Sequence, residues 1–255
     1  MQPGDVESSA RILARRGGFL GSRPVLKRNE SAKGSERRQR PGARRTRQPA
    51  ARNAARSSAA ILAAATREFT EKGFGGARIN DIAARASINK RMLYHYFGGK
   101  EALYIAVLES IYVGIRSAEG TLDLGQRDPA EAMRELTLFT WRYFLDHPEF
   151  LSLLNTENLL RAKYVKRSRR IIELHSPFVT LLADTLARGV AKGEFRPGID
   201  PVELYISIAA LGFFYLSNRW TLSTIFRRDL MSPAELERRG EHIVEVIMSY
   251  LLADP

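Results

Sequence analysis

Residues 89–100 gather the side chains of this chain best suited to contact a nucleic acid. They are Asn89, Lys90, Arg91 and Met92, followed by Tyr94, His95, Tyr96 and Lys100. Lysine and arginine can donate to guanine N7 and O6, and a methionine can pack against a thymine methyl. Tyrosine hydroxyls and a further lysine suit phosphate oxygens, which fix register without reading sequence. This chemistry requires residues 89–92 to lead a helix into the major groove, with apolar residues holding that helix from behind. Leu93 and Phe97, four residues apart, supply the inward face.

The preceding segment fits the supporting role. Ile79, Ile82, Ala83 and Ala86 fall on one face of a short helix, and the small alanines there let a second helix pack closely. Ser87-Ile88 makes the turn, with Ile88 plugging the corner. Two short helices joined by such a turn, the second basic and aromatic, form a helix-turn-helix pattern. Arg78 and Asn80, at the start of the first of these helices, are placed to reach the backbone or an outer base. A further helix is expected before them, from about Ser58 to Lys72, on Ile61, Leu62, Ala65 and Phe69. Gly73 is its stop signal and Phe74 the apolar contact behind the cap.

The rest of the chain also reads as helices. Asp128-Pro129, Asp200-Pro201 and Ser232-Pro233 place a capping residue before a proline at the first helical position, where its missing N–H costs nothing. Ser232 to Glu235 has the spacing of a capping box. His147-Pro148 breaks the helix begun at Asp128, and Ser176-Pro177 is expected to open another that ends at Gly193. Alternating β-branched runs are missing. The expected architecture is all-α with about nine helices. It comprises a basic disordered tail over 1–56, a helix-turn-helix domain over 57–104 and a larger helical domain over 105–255. The domain boundary falls within a long helix from about Lys100 to Ala118.

Charge supports this division. Residues 1–56 hold fifteen Lys/Arg and four Asp/Glu, so nearly all of the net +12 sits there. A tail so polar cannot bury enough surface to offset its ordering entropy. It reads either as a basic arm adding salt-dependent affinity for phosphates or as an inert extension, including one from an overextended start. No secretory h-region is legible and the chain has no cysteine, which fits a reducing cytoplasm. Enzyme signatures are weak. His95, His147, His175 and His242 show no ligand spacing and there is no Gly-x-Ser-x-Gly. Gly73-Phe74-Gly75-Gly76 follows a helix and reads as a cap, not a phosphate cradle. No metal or cofactor is expected.

Ala63 to Phe74, Ile82-Ala83, Ala86-Ser87-Ile88, Leu93 to Phe97 and Lys100 to Leu103 together resemble the TetR/AcrR family of bacterial repressors. The family usually has glycine at Ser87, and often Ser-Lys-Gly-Thr at Asn89 to Met92, so the operator does not transfer from relatives. The resemblance implies base contacts from Lys90, Arg91 and Met92, and phosphate contacts from Tyr94, Tyr96 and Lys100. It also implies a homodimer on a pseudo-palindromic duplex, released by a small-molecule inducer. Two strongly apolar segments, Val202 to about Trp220 and Ala234 to Leu252, suit an isologous four-helix interface. Candidate pocket residues are Phe139, Trp141, Phe144, Asn155, Asn158, His175, Phe178 and Phe214, an aromatic set with a few polar groups. The basic cluster Arg161, Lys163, Lys166, Arg167, Arg169 and Arg170 could favour an anionic inducer, but its spread around the helix reads rather as a solvated face. The rival is a nucleoid-type DNA-binding protein with many sites and no releasing ligand.

Overall fold

The computed structural model describes residues 47–253. Ten α-helices make up that region: α1 (Arg47–Gly76), α2 (Ile79–Arg85), α3 (Lys90–Phe97), α4 (Lys100–Glu119), α5 (Pro129–Asp146), α6 (Pro148–Leu159), α7 (Arg169–Ala191), α8 (Pro201–Ser217), α9 (Arg219–Phe226) and α10 (Pro233–Leu251). Two single 3₁₀ turns follow α4 and precede α7. Among the described residues β structure is confined to one bridge, Phe195 to Leu252.

Most helix boundaries follow the local chemistry. Asp128 caps α5 by accepting from the Ala130 and Glu131 amides, and Asp200 caps α8 through the Val202 and Glu203 amides. Four expectations need correction. First, α1 begins at Arg47, so residues 47–56 are helical; the remainder of the expected tail lies outside the described residues. Second, Pro177 does not open a helix. Ser168 caps α7 by accepting from the Ile171 amide, and the helix runs on through Pro177. One proline removes a single hydrogen bond and kinks a helix whose flanks are otherwise held. Third, the capping box at Ser232 does not form. Glu235 instead accepts from Arg228 with both oxygens at 2.7 Å, and also from Arg238. Fourth, the segment read as one helix to Trp220 divides at Asn218 into α8 and α9.

Three apolar clusters fill the interior. The first joins Ile61, Phe69, Ile82, Leu93, Leu103, Tyr104 and Val107 of α1–α4 to Leu153, Tyr164 and Ile171. The second packs α5, α7, α8 and α10 around Met133, Leu136, Leu182, Phe195, Ile208 and Ile247. The third centres on Trp141, Phe144, Phe150, Tyr215 and Ile243. Close helix approach rests on glycine, as at Gly240 and Gly212. A Cβ on Gly240 would lie 3.0 Å from Trp141 Cδ1, and one on Gly212 would lie 3.3 Å from Phe144 Cδ2.

Candidate DNA-binding surface and ligand cavity

Helix α2 is held against α1 by apolar and ionic contacts. Ile82 and Ala83 are buried, and Glu68, whose side chain has no exposure, meets Lys72 at 2.6 Å and Arg85 at 3.2 Å. The turn to α3 places Ser87 at φ 53, the left-handed region that favours glycine. Asn89 then caps α3, its Oδ1 accepting from the Arg91 amide at 2.8 Å. That commits the Asn89 oxygen to the helix and leaves its amide NH₂ for other partners.

From this cap the exposed face of α3 follows. Lys90, Arg91, Tyr94 and His95 are exposed, as is Met92 at its margin, while Leu93 is fully buried beneath them. Lys90 Nζ lies 5.9 Å from the Tyr94 ring centre, so two exposed groups stand together. Tyr96 is half-buried, and its ring meets His95 edge-on at 5.4 Å. Arg78 and Asn80 are exposed at the head of α2. Lys100 is half-buried with its ammonium 4.7 Å from the Phe74 ring, and burial lowers its pKa. It opens α4, where a cation opposes the helix dipole; the aromatic face compensates.

Helix α4 continues from this domain to a cavity of about 460 Å³ lined by the end of α4 and one side of α7. The size suits a small ligand. Arg116, Glu119, Pro177 and Phe178 are among its wall residues. Arg116 Nη1 and Glu119 Oε2 are 2.9 Å apart, and both side chains are almost wholly buried. Arg116 also donates to the Tyr205 hydroxyl and lies 4.2 Å from the Phe178 ring centre. Burial raises Glu119 to about 7, against the opposing pull of Arg116, and raises Tyr205 to about 12. His175 is pushed down by burial. A larger groove of about 800 Å³ lies between α5 and α10, but its charged rim, including Arg134, Arg142, Glu237 and Glu241, is exposed to solvent.

Residues 61–107 match the family model for bacterial regulatory proteins of the tetR family, and residues 129–247 match that for the tetracyclin repressor-like C-terminal domain. The HTH-type transcriptional repressor NicS of Pseudomonas putida is 43% identical over 180 residues, which is 71% of this chain and 85% of that protein. The chain belongs to the TetR family. It is accordingly a DNA-binding transcriptional regulator. The regulator RutR of Escherichia coli K12 is 33% identical over 154 residues, covering 59% of this chain and 69% of RutR. The fold also matches that of the regulator FadR from Bacillus subtilis, solved in complex with stearoyl-CoA. The TM-score is 0.59 at 17% identity, over 75% of this chain and 98% of that one.

The sequence anticipated the exposed face of α3 better than the lining of the α4–α7 cavity. Of the expected pocket residues, Phe178 lines the α4–α7 cavity and the others do not. Trp141 instead lines the α5–α10 groove, with Gly240 against its ring, and Phe144 packs against Gly212. Phe214 is 59% exposed on α8 and Asn158 is exposed on α6. Asn155 is half-buried and donates to the Ser217 hydroxyl at 3.4 Å. Phe139 is half-buried and packs against Tyr143 at 5.7 Å. His175 turns to the Ile171 carbonyl at 2.7 Å, with its ring against Tyr112. Arg116 and Glu119 were missed because an i,i+3 pair of opposite charges usually marks a solvated helix face. The available signal was their position at the end of a largely apolar helix, Ile111 to Glu119.

Proposed function

We propose that this TetR-family regulator is a homodimeric repressor, released from a pseudo-palindromic operator by a small molecule bound in the α4–α7 cavity. The observation that carries the reading is the continuity of α4. Its first half buries Leu103, Tyr104 and Val107 in the helix-turn-helix core, and its last turn supplies Arg116 and Glu119 to the cavity wall. A ligand that displaces the end of a helix so anchored also moves the domain carrying α3. The coupling needed is modest, typically about 1–3 kcal/mol, and the ligand must prefer one state by that amount.

Lys90, Arg91 and Met92, with the Asn89 amide, take the base edges in this reading. Arg78, Asn80, Tyr94, His95, Tyr96 and Lys100 take phosphates or outer contacts. The division into residues 57–104 and 105–255 then separates DNA reading from ligand sensing. Dimerisation uses α8 and α10, whose Val202, Ile206, Phe214, Val246 and Tyr250 are large, apolar and exposed. Such a patch needs a partner surface. The sign of regulation is supported by the relative named as a repressor, and ligand control by the neighbour solved with an acyl-CoA. The regulator works in the cytoplasm, where its duplex lies.

The test is retardation of the DNA upstream of its own gene by the purified full chain. A sharp complex that resists bulk competitor DNA, reports a dimer and dissolves on adding a cell metabolite extract supports the proposal. Binding at many sites with no releasing fraction would overturn it in favour of a nucleoid role.

A further inference from the structure

The α4–α7 cavity has two ionisable groups on its wall that are poorly matched to each other. The Arg116 side chain is 7% exposed and that of Glu119 only 2%. They approach at 2.9 Å, yet Arg116 Nε and Nη1 and both Glu119 oxygens have no aligned hydrogen-bond partner. A buried guanidinium cannot shed its proton, so it needs an anion. Glu119 is a weak one, since burial holds its proton up to about pH 7.

The surrounding groups do not make up the deficit. Tyr112 on α4, Tyr143 on α5 and Tyr205 on α8 are raised by burial and stay neutral. His175 on α7 is lowered and stays neutral. Arg170 and Glu173 on α7 stand exposed at the rim with opposite charges. Two rings flank the guanidinium, Phe178 at 4.2 Å and Tyr205 at 5.1 Å from its centre, and of these Phe178 lines the cavity beside Leu174, Pro177 and Leu181.

We propose that the cavity takes a planar monocarboxylate of one or two rings, its carboxylate seated on Arg116, and that Glu119 is protonated in the complex. The ring lies against Phe178 and the apolar side chains of Leu174, Pro177 and Leu181, where a cation and a π face already meet. The ligand carboxylate supplies the acceptors that Arg116 lacks, and protonation of Glu119 removes the repulsion between two anions in one site. The proton comes from solvent and no bond of the ligand changes. This assignment names the chemistry of the effector and rests on the cavity being the effector site.

Calorimetric titration of the full chain tests it, with benzoate, 4-hydroxybenzoate and 2-naphthoate as probes, each beside its carboxamide. At least one carboxylate should bind at least about tenfold tighter than its amide, since a charge-assisted pair is lost in the amide. Its affinity should fall as pH rises above about 7, approaching tenfold per unit, with one proton taken up from buffer. Glu119→Gln should keep binding and lose both the pH slope and the proton uptake. Arg116→Met should abolish binding; if that variant fails to fold, Arg116→Lys should retain charge selectivity at reduced affinity. Failure of all three carboxylates at millimolar concentration, equal binding of acid and amide, or an Arg116→Met variant that binds normally would each overturn the proposal.

Operator binding on the same samples separates the two claims. A carboxylate that binds through Arg116 without releasing DNA keeps this assignment and overturns the effector reading. A releasing compound indifferent to Arg116→Met keeps the effector reading and overturns this assignment.

Discussion

Glu68 on α1 and Arg85 on α2 meet at 3.2 Å although the Glu68 side chain is wholly shielded from solvent. Lys72 reaches the same carboxylate at 2.6 Å and also touches Asp81 at 3.1 Å. The angle between α1 and α2, and hence the aim of α3, is pinned by this buried anion. Removing the anion leaves two cations that can turn to water, which limits the damage. Glu68→Gln should therefore cost about 1–2 kcal/mol, within the usual range for one substitution. Thermal unfolding should shift by about 2–4 °C per kcal/mol in a chain of this size. Removing both cations, as Lys72→Met with Arg85→Met, strands a buried carboxylate and should be the more damaging change.

Ser87 adopts φ 53 in the turn between α2 and α3, the left-handed region that favours glycine. A side chain in that region is strained. Ser87→Gly should gain up to about 1 kcal/mol, offset in part by the greater freedom of unfolded glycine. A loss of stability on thermal melting would show that the turn is held by something other than its own conformation.

Gly189 on α7 faces Phe195 so closely that a Cβ would fall 2.1 Å from Phe195 Cδ2. Phe195 is buried, and its backbone lies beside the end of α10. Gly189→Ala must displace that ring, at about 1–3 kcal/mol or more for overpacking. Denaturant unfolding should show it as a lower midpoint. An unchanged midpoint would contradict the packing described here.

Glu119 keeps its proton in the folded chain up to about pH 7, against an ordinary value of 4.5 in the unfolded one. Between those values the folded state binds more protons, so its stability falls as pH rises through the window. The contribution is at most about 3 kcal/mol. His175, lowered by burial, acts in the opposite sense below its ordinary value of 6.5. Comparing the chain with Glu119→Gln isolates the glutamate: the variant should lose the decline between about pH 4.5 and 7.

The DNA-binding domain was legible because its information is local. Ile82, Ala83, Leu93 and Phe97 recur at helical spacing, and Asn89 is itself the cap that starts the recognition helix. Asp128 and Asp200 announced their helices for the same reason. What failed was long-range. Glu235 looks like half of a capping box until Arg228, seven residues earlier, claims both oxygens. Phe144 looks like a pocket wall until Gly212 closes against it from another helix. Arg116 and Glu119 look like a solvated ion pair until α7 and α8 bury them. Burial by a distant segment changes a side chain's role without changing its neighbours in sequence.

The central claim is that the leading end of α3 reads bases while the groups behind it hold phosphates. Its most direct measurement is the operator affinity of Lys90→Ala, Arg91→Ala and Tyr94→Phe against a scrambled duplex, by fluorescence anisotropy at one salt concentration. Lys90→Ala and Arg91→Ala should each weaken operator binding by about 1–3 kcal/mol and relax the preference for operator, whereas Tyr94→Phe should weaken both duplexes alike. Operator affinity and selectivity left intact by both the Lys90 and Arg91 substitutions would contradict the account.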